Sequence, residues 1–222
     1  MAYRRTERVL KRLAARHDAI VAACAALAAE GGMDGVQIVP VARRAGIAAG
    51  TVYRYFPAKT DLVAALVAGQ AARELEAIRR AADAAPGPLS ALAAALITFA
   101  ARARRNRKLA WALLAEPTDQ DIDALRGDYR KMLAGDFEAR IRAAIAGGHL
   151  PDQDASIAAA AVVGSLAEGL IGPLAPASEN EVATREAVQS VTLLALRALG
   201  VVDARARGLV VQTALPSGVT AS

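Results

Sequence analysis

The chain has 222 residues, enough to bury a sizeable core without metal or cross-links. Its single cysteine, Cys24, excludes an intramolecular disulfide, and two histidines, His17 and His149, leave almost no material for a clustered zinc site or a histidine-dependent triad. The net charge of +5 is uneven: residues 1–59 hold ten Lys/Arg against four Asp/Glu, whereas residues 60–222 hold seventeen against eighteen. A basic leading module on a neutral body is the electrostatic footprint of a nucleic-acid binder, and an anionic membrane surface would be served by the same asymmetry. No secretory signal pattern opens the sequence, so a cytoplasmic location is expected.

Alanine, leucine, arginine and glutamate dominate and strand-like alternation is absent, so the expected fold is all-α. Leu10, Leu13, His17, Ile20, Cys24 and Leu27 recur at three- and four-residue steps, predicting a first helix that Gly31 and Gly32 end. On that stripe Cys24 reads as a buried core thiol and His17 as a packing residue. Short helices are expected at about 38–45 and 49–55, and a longer one at about 60–83. The stretch "DAAPGPLS" then breaks the pattern. Further helices are expected at about 88–105, 107–115, 119–146, 152–171 and 180–200, and the end of the chain, losing periodicity, as a flexible tail. The apolar run 157–177 carries Glu168, Pro173 and Pro176 and is rich in alanine and glycine, which favours a helix buried against protein over a membrane span. The expected domains are a helix-turn-helix head with a basic arm at 1–59, a helical effector and dimerisation body at 60–202, and the tail at 203–222.

Residues 37–59 carry the chemistry. Two short helices that cross steeply need a small residue at their contact and suit a glycine at the turn. Ala42 and Gly46 stand there, with Val52 locking the second helix and Val41, Ala45, Ile47 and Phe56 as further anchors. That leaves Ala48, Ala49, Gly50, Thr51, Tyr53, Arg54 and Tyr55 on the face able to approach a duplex. Small residues at the start of the second helix allow close entry into a major groove, and its free amides suit a phosphate oxygen. Arg43, Arg44, the tyrosine hydroxyls and Lys59 suit the DNA backbone.

Residues 16–66, above all "VARRAGIAAGTVYRYFPAKTDLVAAL", resemble the DNA-binding head of the TetR family of bacterial transcriptional regulators. Ala42, Ala45, Gly46, Gly50, Thr51, Tyr53, Tyr55, Phe56, Lys59 and Leu62 stand where that pattern puts such residues. The resemblance implies a homodimer reading a palindromic double-stranded DNA operator, with helical bodies that bind a small-molecule effector. It also implies that Thr51, Tyr53, Tyr55 and Lys59 touch DNA, mostly its backbone. One departure is local: Gln37 and Pro40 replace the usual Thr or Ser and acidic residue of a capping box, so the first motif helix begins with a weaker cap. The basic arm, with Arg4, Arg5 and Arg8, reads either as a phosphate or minor-groove contact or as a solvated helix end.

In the body, Phe99, Trp111, Leu114, Tyr129, Met132 and Phe137 concentrate nearly all the bulky aromatic and flexible apolar side chains on three successive helices, as core, pocket lining or both. Of these, Phe99, Trp111, Leu114, Tyr129 and Met132 are taken with Glu116 as effector-binding candidates. The cations Arg102, Arg104, Arg105, Arg107 and Lys108 read as a solvated face. Small and branched residues mark a candidate dimer interface: Ala161, Gly164 and Ser165 on one helix, Val188, Val191, Thr192, Ala195 and Leu199 on the next. No constellation for catalysis, cofactor or metal is present in the sequence, and no membrane partner is expected. The expected function is a dimeric repressor released from its operator by a small molecule. The alternatives are a DNA-binding regulator without such a ligand, acting as an activator or through partners, and a basic helical protein of the membrane surface.

Overall fold

The computed structural model describes residues 2–118, 120–177 and 180–213, with side chains from residue 7 onward. Among the described residues ten α-helices run in chain order: α1 Ala2–Gly31, α2 Ile38–Arg44, α3 Ala49–Tyr55, α4 Lys59–Asp83, α5 Pro88–Arg105, α6 Arg107–Leu114, α7 Gln120–Ala146, α8 Ala155–Leu166, α9 Glu181–Ala198 and α10 Asp203–Gln212. A 3₁₀ turn, Met33–Gly35, follows α1, and α8 continues into a π-helical turn, Ala167–Ile171.

The first helix packs only along its second half. Ile20, Cys24 and Ala28 are fully buried, while Leu10 and Leu13 stand 60% and 46% exposed, so the apolar stripe read from the sequence reaches protein only from His17 onward. There the His17 ring leans against Phe56, with ring centroids 5.0 Å apart. Burial pushes the Cys24 thiol up to about 12, more than the nearby Lys59 charge lowers it, so the group stays a protonated core side chain.

Helices α4 and α5 pack along each other, and α5 is buried nearly all round, between α4, α7, α9, α6 and the π-helical turn. A helix apolar on every face must occupy the middle of its bundle. Phe99 on α5 meets Phe137 on α7 edge to face, with centroids 6.3 Å apart. One continuous apolar core runs from Ile20 to Val210. Because α4 packs against α1 as well as α5 and α7, the leading helices and the body share that core.

The final segment departs from expectation. Residues 203–212 form α10, with Ala206 and Val210 buried one turn apart against α9 and α5. Asp203 at its start pairs with Arg197 and Arg207. The tail expected over 203–222 therefore begins, at the earliest, after this helix, and residues 214–222 lie outside the described part. Among the described residues no helix is long and apolar enough to cross a membrane.

Candidate functional site

The turn between α2 and α3 is set by Gly46, whose φ of +65° places it in the left-handed region that favours glycine. Its N–H donates to the Arg43 carbonyl at 3.2 Å and the Ile47 N–H donates to the Ala42 carbonyl at 3.0 Å, the paired bonds of a Schellman helix end. Gln37 begins α2 without a side-chain cap; its amide instead donates to the Asp34 carbonyl at 3.3 Å. At the next boundary Asp61 does cap, its carboxylate accepting the Ala58 N–H at 2.9 Å.

Helix α3 is anchored through Val52 and Phe56, both buried. On its other side Gly50, Tyr53 and Arg54 are exposed, Ala49, Thr51 and Tyr55 are half-buried, and Ala48 is exposed at the helix entrance. A Cβ built on Gly50 meets nothing within 4 Å, so packing within the chain does not demand glycine there. Arg43 and half-buried Lys59 flank the same motif. Among the described residues neither Arg43, Arg54 nor Lys59 has a carboxylate partner. Arg44 differs: Glu30 grips its guanidinium with both oxygens, at 2.6 and 2.8 Å, tying α2 to the end of α1. Sequence reading passed over Arg12 and Arg16, which line a groove of about 300 Å³ between α1 and the Gly46 turn. Their spacing of four on α1 was the available signal. The side chains of Arg4 and Arg5 lie outside the described part.

The body candidates separate. Phe99, Leu114 and Tyr129 converge with Leu109 and Leu113 on a cavity of about 20 Å³, room for about one water. Its polar side is made by Gln70, Glu74, Arg102 and Asn106, none of them among the expected ligand residues. Glu74 accepts from Arg102 Nε at 2.7 Å and Nη2 at 3.0 Å, and from Gln70 Nε2 at 3.0 Å. That pair joins residues 28 apart in sequence on different helices, a spacing that no local pattern reveals.

Trp111, Glu116 and Met132 do not line the cavity. Trp111 is half-buried, and Met132 is 46% exposed on α7. Glu116 instead accepts the Met33 N–H at 2.7 Å, joining the end of α6 to the turn after α1. A Cβ on Gly32, whose φ is +69°, would collide with that carboxylate. The carbonyls at the end of α6 are held by α7: Arg126, fully buried, donates to the Ala112 and Glu116 carbonyls, and Arg130 to that of Leu114. Lys108, near the start of α6, donates to the Glu30 carbonyl at 3.1 Å.

The cationic run of α5 and α6 is not the solvated face expected. Arg104, buried, donates to the Leu170 and Pro176 carbonyls, each at 2.7 Å. Arg107 donates to the carbonyls of Ile171 at 2.9 Å, Gly172 at 2.5 Å and Ala175 at 3.2 Å. A helix end and the loop after it leave carbonyls short of amide partners, and two guanidinium forks satisfy them, the Gly172 carbonyl also accepting the Ala175 N–H at 3.1 Å.

The dimer candidates also divide. Val188, Val191, Thr192, Ala195 and Leu199 are buried in the chain's own core, on the side of α9 that packs against α5, and so are not on a free face. Small residues at helical spacing fit an intramolecular seam as well as an intermolecular one. On α8, Ala161 and Gly164 are exposed and Ser165 is half-buried. On α9, Val182 and Leu194 are 67% and 59% exposed.

Residues 20–66 match the family of bacterial regulatory proteins described as the tetR family. The HTH-type transcriptional repressor KstR of Rhodococcus jostii is 46% identical over 63 residues, which are 28% of this chain and 28% of that protein. KstR of Mycolicibacterium smegmatis is 48% identical over 48 residues, 22% of this chain and 24% of its own length. The chain thus aligns with about a quarter of the curated relatives it matches. Over nearly the whole chain the fold is similar to that of RolR solved with resorcinol, with a TM-score of 0.66, 19% identity, and coverage of 94% of this chain and 98% of that one. FadR from Bacillus subtilis, solved with stearoyl-CoA, also gives a TM-score of 0.66, at 18% identity over 82% of this chain and 96% of that one. Over residues 20–66, its leading helices, the chain is similar to the tetR family of bacterial regulatory proteins.

Proposed function

We propose that this protein is a ligand-responsive transcriptional repressor that binds a palindromic operator as a dimer. The observation that carries the reading is the α3 face: Gly50, Thr51, Tyr53 and Arg54 belong to the same motif as Arg43 and Lys59, which have no carboxylate partner among the described residues. Uncompensated cations around a helix with small residues at its entrance suit phosphates flanking a major groove. Thr51 and Arg54 are the side chains assigned to base edges, and Tyr53, Tyr55, Arg43 and Lys59 to the backbone. Arg44, held by Glu30, positions α2 instead.

Repression is supported by the repressors named KstR, which align with the head, and a small-molecule effector by the ligands held in the RolR and FadR structures. In this chain the corresponding role falls to the cavity between α4, α5, α6 and α7. For the dimer, the free surface of α8 and α9 is assigned, with Ala161, Gly164 and Ser165 retained and Leu194 added. A two-fold axis there would double two helices into four and set the two α3 helices about one DNA turn, roughly 34 Å, apart. Release requires a ligand with different affinity for the operator-bound and free states.

The test is selection of duplexes by the purified chain from a random pool. Recovery of a palindrome is the expected result. Recovery of no motif at low or physiological salt would leave a basic surface without sequence readout and end the repressor reading.

A further inference from the structure

We infer that the effector of the α4 to α7 cavity is a compact, uncharged, largely apolar molecule that presents an oxygen acceptor to the Tyr129 hydroxyl. The inference rests on the ligand-responsive reading and narrows it to a chemical class.

Three observations lead to it. Among the described residues the one cation lining the cavity, Arg102, is already neutralised: Glu74 binds it with both oxygens, at 2.7 and 3.0 Å, and Gln70 adds a third bond to the same carboxylate. An acidic ligand finds no free guanidinium there and meets the Glu74 charge, and a basic ligand finds a carboxylate already compensated. Tyr129, only 2% exposed, contributes a hydroxyl that has no hydrogen-bond partner among the described residues. Burial and the neighbouring Glu74 hold its phenol above the ordinary range, so it remains a donor at neutral pH and is best met by a carbonyl, ether or hydroxyl oxygen. The remaining wall, Phe99, Leu113 and Leu114 above all, is apolar and closes the space to about 20 Å³. Every added ligand atom must displace packed side chains, which favours small molecules over long chains.

The test uses the full-length dimer and its selected operator. Phenol, resorcinol and cyclohexanone form the uncharged set. Benzoate, 3,5-dihydroxybenzoate and cyclohexanecarboxylate form the acidic set. Titration calorimetry should find binding by at least one uncharged probe, with its acidic counterpart at least tenfold weaker. Tyr129→Phe should weaken that probe about tenfold while leaving the circular dichroism spectrum unchanged. Glu74→Gln, which leaves Arg102 without its counter-charge, should move the preference tenfold or more toward the acid. Tighter binding of the acids by the unaltered chain, equal binding by Tyr129→Phe, or no binding by any uncharged probe would overturn the inference. Operator release by an acidic compound alone would overturn it and leave the regulator reading standing. Failure to select any operator would remove the regulator reading itself, whichever probes bind.

Discussion

Apart from Lys11 and Arg44, which pair with Glu7 and Glu30, the cations of the leading helices and the arginines around α5 to α7 have opposite fates. Among the described residues Arg8, Arg12, Arg16, Arg43, Arg54 and Lys59 have no carboxylate or carbonyl partner. In the body, Arg102, Arg104, Arg107, Arg126, Arg130 and Arg140 each bind a carboxylate or backbone carbonyl of the chain. A charge with an internal partner adds to the fold, and where that partner is a carboxylate its field outside is largely cancelled. A charge without one does the reverse, so the same residue type supports the body and leaves the head attractive to polyanions.

Four variants would break or sharpen that contrast. Arg104→Met should cost the most stability, about 3 kcal/mol in urea unfolding, because it leaves the Leu170 and Pro176 carbonyls unpaired. It should leave the salt dependence of operator binding unchanged. Replacing Arg43, Arg54 and Lys59 together by alanine should have the converse effect, weakening the operator about a hundredfold and lowering the salt slope by about three. Unfolding should then move by less than about 0.5 kcal/mol. Equal losses of stability in the two variants would erase the distinction.

Gly46→Ala should cost about 1 kcal/mol, from the left-handed backbone alone, since a Cβ there meets nothing within 4 Å. The smallest effect is expected for Glu30→Gln, read as stability against pH. The hydrogen bond from Arg44 holds the exposed Glu30 carboxyl below its ordinary 4.5, so the pair contributes above that pH and its contribution is lost as pH falls through the depressed value. The difference between wild type and variant should therefore shrink on acidification. A gap that widened toward acid would contradict the assigned sign.

The helix-turn-helix was legible because its constraints are local. Gly46 fixes a turn, Ala42 fits a crossing, and Val52 and Phe56 repeat at helical spacing. The body was less legible because its decisive contacts cross helices. Nothing near Arg104 in sequence announces carbonyls at residues 170 and 176, and nothing near Glu74 announces Arg102. The stripe of α9 reported a buried side without saying which chain buries it, which is how Val188 and Thr192 came to be read as a dimer face. In α1, Leu10 and Leu13 continue the apolar period beyond the point where any described partner covers them, so periodicity gave the helix but not its limit of packing. The helix Asp203–Gln212 was hidden by its composition, with only Ala206 and Val210 turned inward.

Helix α6 has eight residues and so a length of about 12 Å. Lys108 moors one end of this short rod to the last turn of α1, and Glu116, just past the other, moors it to the backbone of Met33. Leu109, Leu113 and Leu114 on the same rod form part of the cavity wall. A wall that is also a strut has no independent travel: room made for a guest by moving α6 pulls on both moorings, and the base of α1 receives the tug.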